Sequence, residues 1–348
     1  MKKRAFITGI EGQDGSYLAE LLLAKNYEVH GLFRPSANGN AANLRHLKSD
    51  PQVFQKTLFL HPADLDDVES IRRPLEQAAP DEIYHLASQS HVGASFEKVE
   101  ETCRITGLGA LRLLELTRQL PQPPRFFHAS SSEIFGSPEQ SPQDENTPVL
   151  PITPYGCAKA FGTQMTRIYR KNFGLFAVNG IFFNHESPRR GENFVTRKIC
   201  RAVAAIQAGR QSELVLGDTT AQRDWGHARD YVEGMWRILQ QPVADDYVLA
   251  TGETHAVREF VERAFAEIGI EIAWRGAGVE EQGFDRKSGR VLVEIDPEYF
   301  RPTEVDLLLG DPAKAQAKLG WVHKTTFPEL VKEMVASDLV LMKKRGHI

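Results

Sequence analysis

Gly9-Ile10-Glu11-Gly12-Gln13-Asp14-Gly15 joins an apolar run, Arg4–Thr8, to a helical pattern, Ser16–Ala24. Glycines let the backbone turn tightly and approach a pyrophosphate, whose charge then lies at the N-terminus of the next helix. The spacing is GxxGxxG, and a glycine pattern alone is equally compatible with a simple strand–helix turn. Its position inside the first strand–helix–strand unit favours a dinucleotide-binding turn.

Short apolar runs and helical patterns alternate through the first half of the chain. Strands separated by helices of about 10–15 residues are typical of a parallel sheet covered on both faces. We therefore predict an α/β fold with a Rossmann-type parallel sheet. The predicted strands are Arg4–Thr8, Glu28–Phe33, Leu58–Pro62, Glu82–Leu86, Arg125–Ala129 and Phe176–Phe183, and the predicted helices are Ser16–Ala24, Asp67–Ala79, Thr102–Gln119 and Tyr155–Phe173.

The alternation becomes less regular after Asn184. Pro188-Arg189-Arg190-Gly191 is interpreted as a polar turn, and Gly276–Lys287, rich in glycine and charge, as a mobile loop. We predict a mainly cofactor-binding domain over residues 1–184. Residues 185–348 are expected to form mainly a smaller C-terminal α/β substrate lobe, with some return of the chain to the first domain.

The composition excludes several classes of function. The 348 residues include 42 basic and 46 acidic side chains, a net charge of −4, and no run near the roughly 18 apolar residues that cross a membrane. We therefore expect no nucleic-acid or membrane partner. Cys103, Cys157 and Cys200 are odd in number and widely spaced, which predicts no disulfide framework, no metal site and a cytoplasmic location.

The end of the second strand bears on the choice of dinucleotide. An acidic residue there would bind the ribose 2′-hydroxyl of NAD, whereas an arginine accommodates the 2′-phosphate of NADP. The strand ends in Leu32-Phe33-Arg34-Pro35 with no acidic residue, so Arg34 favours NADP, although Arg34 alone is also compatible with a solvated loop cation. Asp64, after the third strand, has the right place to face the adenine, although it could equally cap the following helix.

Tyr155 and Lys159 are four residues apart and so share one face of a helix. An ammonium near a phenol lowers the pKa of the phenol, and such a tyrosine can take a proton from a sugar hydroxyl while hydride leaves the same carbon. The pair alone is also compatible with an ordinary surface helix. Ser130-Ser131-Ser132-Glu133, at the end of the preceding strand, strengthens the catalytic interpretation because ligands bind at that edge of open α/β sheets.

Ile7-Thr8-Gly9, the glycine turn, Tyr155 and Lys159 resemble the extended short-chain dehydrogenase/reductases. More narrowly, several blocks spread over nearly the whole chain resemble GDP-mannose 4,6-dehydratases. These blocks are residues 12–20, 183–192, 194–198, 223–228, 299–305 and 309–312.

The resemblance implies a dehydration with an internal redox cycle. Tyr155, helped by Lys159 and Ser131, would oxidise the hexose at C4 by passing hydride to bound NADP⁺. Glu133 would then remove the acidified C5 proton as general base, water would leave from C6, and the same hydride would return to C6. The alternative for Glu133 is a carboxylate that merely caps a turn.

The resemblance also implies sites for NADP and a GDP-sugar. His185 is interpreted as structural and is left out of the catalytic set. The expected cofactor residues are Gly9, Gly12, Gln13, Asp14, Gly15, Arg34, Asp64, Leu65, Leu86, Tyr155 and Lys159. The expected substrate residues are Asn184, Lys198, Arg223 and Arg301 at the diphosphate, Val195 and Glu304 near the guanosine, and Ser90 at the sugar or nicotinamide end.

The expected function is thus GDP-mannose 4,6-dehydratase chemistry that yields GDP-4-keto-6-deoxy-mannose in a homodimer or homotetramer. Two departures from the family pattern are Ser131 in place of threonine and Arg34-Pro35 in place of an Arg-Arg pair. The open alternatives are the same reaction on a related GDP-sugar such as a GDP-heptose, and an NADPH-dependent GDP-sugar reductase or epimerase. A non-catalytic NADP sensor is disfavoured because Tyr155 and Lys159 are both present.

Overall fold

A computed structural model describes residues 2–35, 41–299 and 307–344. Its strands are β1 (Arg4–Thr8), β2 (Glu28–Phe33), β3 (Leu58–Pro62), β4 (Glu82–His85), β5 (Arg125–Ser131), β6 (Ala177–Phe182), β7 (Asn184–Glu186), β8 (Leu214–Leu216), β9 (Gln222–Arg223), β10 (Trp225–His227), β11 (Tyr247–Leu249), β12 (His255–Ala256), β13 (Ile272–Arg275), β14 (Gln282–Asp285), β15 (Val291–Ile295) and β16 (Leu307–Leu308).

The helices flank these strands, and a π-helical turn, Cys103–Leu108, makes α5 and α6 continuous. They are α1 (Gln13–Ala24), α2 (Arg45–Lys48), α3 (Val68–Ala78), α4 (Val92–Glu97), α5 (Val99–Thr102), α6 (Gly109–Gln119), α7 (Pro154–Phe173), α8 (Val195–Gln207), α9 (Ala228–Leu239), α10 (Val257–Ala266), α11 (Ala313–Leu319) and α12 (Phe327–Lys344). In the described part of the chain, no helix is both long and apolar enough to cross a bilayer.

Seven of the described strands form one parallel sheet in the order β11-β6-β5-β4-β1-β2-β3. From the β3 edge, the first six strands of the chain follow the order 3-2-1-4-5-6 that is typical of dinucleotide-binding folds. This order confirms the predicted Rossmann-type sheet. Strand β11 comes from the second half of the chain and extends the sheet beside β6. The predicted strands of the first half agree with the structure to within two residues at either end.

Helices cover both faces of this sheet. On one face α1 and α9 bury Leu22 and Met235 in the same apolar cluster, and on the other face α3 and α6 bury Ile71 and Leu113. Full burial of such a side chain contributes about 1.5–3 kcal/mol. The apolar residues of the strands alternate between these two clusters, as the two-residue period of a strand requires.

Helix α7 is held firmly at its N-terminus, next to Tyr155. The Thr153 hydroxyl accepts a hydrogen bond from the Gly156 N–H (2.9 Å), and Pro154 occupies the first turn, where no N–H is needed. The helix ends at Gly174, which has a left-handed backbone (φ 68°). The caps therefore place Tyr155 in the first turn of the helix, close to the edge of the sheet.

The later part of the chain forms three smaller sheets. Strand β7 pairs with β10, β9 lies between β12 and β16, and β14 lies between β13 and β15, with β8 beside β15. Helices α8, α10 and α12 pack on the last of these sheets around a second apolar core.

The prediction of a mobile loop over Gly276–Lys287 is wrong, because β14 lies inside it and is antiparallel to both neighbours. A Cβ at Gly283 would lie 3.0 Å from Val293, so glycine is needed there for close strand packing. The charge of Glu281 is buried and paired with Arg258. Glycine and charge thus have a structural role in this segment.

Candidate active site

The predicted chemical groups meet at the carboxyl edge of the large sheet. The glycine turn follows β1, Leu86 follows β4, Ser131 ends β5, and Asn184 lies just beyond β6. Parallel strands bring their carboxyl ends to one edge, where ligands bind in open α/β sheets. The sheet topology therefore gathers residues that are distant in the sequence.

The glycine turn forms a tight cradle at this edge. Gly9 has a left-handed backbone (φ 73°), and a Cβ at Gly15 would lie 2.3 Å from the Gly9 carbonyl oxygen. Helix α1 begins directly after Gly12, and within the described residues no side chain caps it. The space kept free of Cβ atoms and the uncapped helix N-terminus fit a dinucleotide pyrophosphate.

Arg34 and Asp64 lie on the β2–β3 side of the cradle. Arg34 is exposed directly after β2. Asp64 is partly exposed after β3, and its carboxylate accepts the Asp66 N–H (3.0 Å). Helix α3 is capped by Asp67 and not by Asp64, so the capping alternative for Asp64 is wrong.

Two apolar residues complete the expected cofactor set. Leu65 is buried in the cluster beneath α3 and α6. Leu86 follows β4, and its N–H donates to the Thr8 hydroxyl (3.1 Å) next to the glycine turn. Both positions are close to strand ends at the ligand edge.

Ser131, Glu133, Tyr155 and Lys159 come together between β5 and α7. The Ser131 hydroxyl hydrogen-bonds the Tyr155 phenol and accepts the Glu133 N–H (3.3 Å). Glu133 lies in the one-turn 3₁₀ helix after β5 and is only 8% exposed. The Lys159 ammonium is nearly buried and donates to the Ala129 carbonyl oxygen (2.7 Å).

The pKa of Tyr155 differs from the sequence-based expectation. Burial raises the pKa of Tyr155 well above its usual range, and the Ser131 hydrogen bond offsets this only in part. The Lys159 ammonium is engaged with Ala129 and lies 5.8 Å from the centre of the Tyr155 ring. The prediction of a lowered phenol pKa is therefore wrong for this structure, because sequence does not reveal burial.

Lys159 itself is affected by burial. Burial lowers the pKa of Lys159 to about 8, although the Asp14 carboxylate opposes the change. Beneath it, burial and the lysine charge lower the pKa of His85 to about 3 and that of His128 well below its usual range. Both imidazoles are therefore neutral near pH 7, and Lys159 is partly protonated at pH 8.

His185 contributes a second positive charge near the cradle. Its Nε2 lies 2.9 Å from the Asp14 carboxylate, and its Nδ1 lies 2.9 Å from the Phe183 carbonyl oxygen. Both partners only accept hydrogen bonds, so both ring nitrogens must carry protons. Burial lowers the pKa of His185, but Asp14 raises it more, and the net direction is upward.

The sequence indicated only a structural role for His185, but in the structure His185 is paired with the Asp14 carboxylate of the glycine turn. The Gln13 amide also donates to the His185 carbonyl oxygen (3.0 Å), so the cradle is tied directly to β7. Burial opposes ionisation of Asp14, yet His185 outweighs it and lowers the pKa of Asp14. Asp14 is thus an ion-pair partner of His185.

Arg190 is a site residue that the sequence analysis missed. Its charge acts on the pKa values of Tyr155 and Asp14, and its guanidinium carbon lies 3.6 Å from the centre of the Phe194 ring. The sequence contained one signal, since Arg189 and Arg190 lie in a polar turn shortly after the predicted strand Phe176–Phe183. Because this segment was interpreted only as a polar turn, Arg190 was not included among the predicted site residues.

The expected substrate residues are spread over the later sheets. Asn184 pairs with Trp225 in the β7–β10 ladder, and Arg223 lies two residues before Trp225, in β9. Val195 and Lys198 share the first turn of α8, and the Lys198 ammonium lies 3.4 Å from the centre of the Tyr299 ring.

The remaining substrate residues are less constrained by the structure. Ser90 is exposed after β4. The predictions for Arg301 and Glu304 lie outside the described residues.

A family model described as GDP-mannose 4,6 dehydratase matches residues 6–334 of the chain. A Caenorhabditis elegans protein named GDP-mannose 4,6 dehydratase 2 is 51% identical over 98% of this chain and 90% of its own length. A Sinorhizobium fredii GDP-mannose 4,6-dehydratase is 50% identical over 98% of both chains. The Thermus thermophilus UDP-glucose 4-epimerase structure in complex with NAD superposes with a TM-score of 0.78 at 25% identity, covering 99% of this chain and 100% of that one.

Proposed function

The chain belongs to the GDP-mannose 4,6-dehydratase family, and we propose that it converts GDP-mannose into GDP-4-keto-6-deoxy-mannose and water with a tightly bound NADP. The observation that carries this proposal is the nearly buried Glu133 beside Tyr155. Oxidation at C4 alone, as in a reductase or epimerase, needs no second acid–base group there. A dehydratase needs one, because the C5 proton must be removed before water leaves C6.

In the proposed reaction, two side chains transfer protons and two others support them. Tyr155 takes the proton of the C4 hydroxyl, and the hydrogen bond from Ser131 orients the phenol. Tyr155 must be a phenolate before it can accept this proton, and the Lys159 ammonium, fixed by the Ala129 carbonyl oxygen, supplies positive charge that favours the phenolate over the phenol. Glu133 then removes the C5 proton, which the C4 ketone has made acidic, and delivers a proton to the departing C6 hydroxyl.

NADP is the cofactor that we assign to the glycine cradle. The related epimerase structure holds NAD, and the cradle between Gly9 and Gly15 here has the space and the uncapped helix for a pyrophosphate. Arg34 is proposed to bind the 2′-phosphate, since no acidic residue ends β2, while Asp64 and Leu65 face the adenine side. When bound, the nicotinamide supplies a transient hydride acceptor, so the reaction consumes no external oxidant.

The GDP moiety is proposed to bind on the later sheets. Two phosphates require cations in a rigid arrangement, and Lys198 and Arg223 are both largely withdrawn from solvent. Asn184 would join them at the diphosphate, Val195 near the guanosine, and Ser90 at the sugar, with Arg301 and Glu304 as further partners. Residues 1–184 then form mainly the NADP-binding domain, and residues 185–348 mainly the sugar-nucleotide-binding lobe.

We also propose a cytoplasmic homo-oligomer. Apolar side chains on α5, α7 and the π-helical turn between α5 and α6 remain exposed, and an apolar surface on packed helices indicates association. They are Val99, Leu108, Phe161, Ile168 and Phe173. Light scattering should show a dimer or a tetramer that Phe161→Glu dissociates, whereas Val243→Glu, at a more exposed position elsewhere, should not. A monomeric wild-type protein would reject the oligomer.

Incubation with GDP-mannose and substoichiometric NADP⁺, followed by mass spectrometry of the nucleotide sugar, tests the proposed reaction. We expect complete conversion to a product lighter by one water, without net formation of NADPH. An unchanged GDP-mannose pool would reject this substrate, and conversion of a GDP-heptose would favour the alternative sugar. Consumption of NADPH with a keto-sugar would indicate a reductase.

A further inference from the structure

Asp224 is a fully buried carboxylate directly after the proposed diphosphate ligand Arg223. One of its oxygens accepts hydrogen bonds from the N–H and the hydroxyl of Thr251, both at 2.8 Å. The other accepts the N–H groups of Gly252 (3.0 Å) and Gly310 (3.4 Å). Four donors therefore converge on a single side chain.

These donors come from different segments of the chain. Thr251 and Gly252 follow β11, which belongs to the large sheet, whereas Gly310 follows β16, which pairs with β9. The Asp224 N–H also donates to the Leu308 carbonyl oxygen (3.2 Å). Asp224 thus fastens the large sheet and the β9–β16 pair to the same point.

Burial of the Asp224 carboxylate is energetically unfavourable. Burial raises the pKa of Asp224 to about 6, even though the hydrogen bonds from Thr251, Gly252 and Gly310 lower it. Burial of a neutral side chain would cost less desolvation free energy, but such a side chain could not accept four hydrogen bonds. The ionised carboxylate is therefore suited to holding several backbone segments at fixed positions.

Those segments carry proposed GDP ligands. Arg223 is the residue before Asp224, and its backbone is paired with His255 on one side and Leu308 on the other. Strand β16 starts three residues after Glu304 and six after Arg301. The network around Asp224 thus anchors the backbone of Arg223, one expected ligand, against β12 and β16.

We propose that Asp224 is a positioning residue for GDP recognition, which holds the backbone of Arg223 in the arrangement that binds the diphosphate. This inference rests on the proposed role of Arg223 in nucleotide binding. The hydrogen bonds of the Asp224 carboxylate do not involve Tyr155 or Glu133. Asp224 is therefore expected to affect binding of the nucleotide and not the positions of the proton-transfer groups.

Asp224→Asn tests the inference, because the amide keeps the size but places an NH₂ group where one carboxylate oxygen accepted two hydrogen bonds. We expect the Kd for GDP and the KM for GDP-mannose to rise at least tenfold, with kcat within about threefold and NADP binding unchanged. Thr251→Val, which removes one donor, should raise the Kd for GDP about two- to threefold and serves if the first variant does not fold.

Asp246→Asn is the matched control for a purely structural effect. Asp246 is also buried and binds Arg167, Arg170 and Asn179, but it lies at the opposite, amino end of β11. Its variant should lose stability without a change in the Kd for GDP.

A double-mutant cycle with Arg223→Ala separates this inference from the proposed function. If Asp224 acts through Arg223, its substitution should weaken GDP binding much less in the Arg223→Ala background than in the wild type. Unchanged GDP affinity in the Asp224 and Thr251 variants, or effects that add fully to that of Arg223→Ala, would overturn the positioning role. A wild-type protein that does not bind GDP would instead overturn the proposed function.

Discussion

At the scale of single residues, Glu133 is the side chain that distinguishes dehydration from simple oxidation in the proposed mechanism. Its short 3₁₀ turn places a nearly buried carboxylate beside the Tyr155–Ser131 pair. A positioned general base contributes about 10²–10⁴-fold to a rate. In the proposed mechanism, water loss thus depends on one carboxylate that a related reductase would not need.

We predict that Glu133→Gln lowers kcat for water loss from GDP-mannose by about 10²–10⁴-fold, because the amide cannot remove the C5 proton. The Kd for GDP-mannose should stay within threefold, since the amide has nearly the same shape. Steady-state kinetics and calorimetry measure both quantities. Glu139→Gln, the same change on an exposed side chain, is the control, and a kcat within tenfold of wild type would contradict the role of Glu133.

At the scale of secondary-structure elements, the β1–α1 turn depends on the absence of side chains. A Cβ at Gly15 would lie 2.3 Å from the Gly9 carbonyl oxygen and 2.6 Å from the Ile10 Cα, both of them backbone atoms that cannot move aside easily. The turn must therefore open if Gly15 gains a methyl group. That change would also reposition the N-terminus of α1.

We predict that Gly15→Ala raises the Kd for NADP at least tenfold and lowers the melting temperature. Gly107→Ala is the matched control, because a Cβ there would meet its nearest neighbour at an ordinary 3.5 Å. Fluorescence titration with NADPH measures the affinity of both variants. Wild-type affinity in Gly15→Ala would show that the cradle does not bind the pyrophosphate.

The elements also show how far sequence reasoning extends. The parallel sheet was predictable because short, mostly apolar runs alternate with helical patterns through the first half of the chain. Strand β14 was missed, since its glycine fits against Val293 and its neighbouring Glu281 is paired with a residue distant in the sequence. Both contacts join residues that are separated in the sequence, so they become visible only in the folded chain.

The same limit applies to the site. The spacing of Tyr155 and Lys159 and the serines at the end of β5 were sufficient to predict which side chains meet between β5 and α7. The raised pKa of Tyr155 and the charge of His185 were not predictable, because both follow from burial and from contacts such as Asp14 with His185.

At the scale of the whole molecule, neutral buried histidines make the fold sensitive to acid. Neither ring nitrogen of His128 has a hydrogen-bond partner among the described residues, and burial keeps the pKa of its imidazole low. Below about pH 6.5 the unfolded chain binds a proton that the folded chain refuses, so stability falls as pH falls.

We predict that His128→Leu reduces this acid sensitivity. One histidine that stays neutral in the fold costs about 2 kcal/mol of unfolding free energy between pH 7 and pH 5. Urea denaturation at both pH values should show a smaller loss for His128→Leu than for wild type, by about that amount. The exposed His46→Leu variant should behave as wild type, and an equal loss in all three proteins would refute the account.

The central claim is that Tyr155 and Glu133 act in one active site on C4 and C5 of the same sugar while the cofactor is regenerated in each turnover. Conversion of GDP-mannose deuterated at C4, followed by NMR and mass spectrometry of the product, tests this claim most directly. The account predicts that the deuterium appears at C6 of the 4-keto-6-deoxy product, with a solvent proton at C5. Loss of the deuterium to solvent or to the free NADP pool would contradict it.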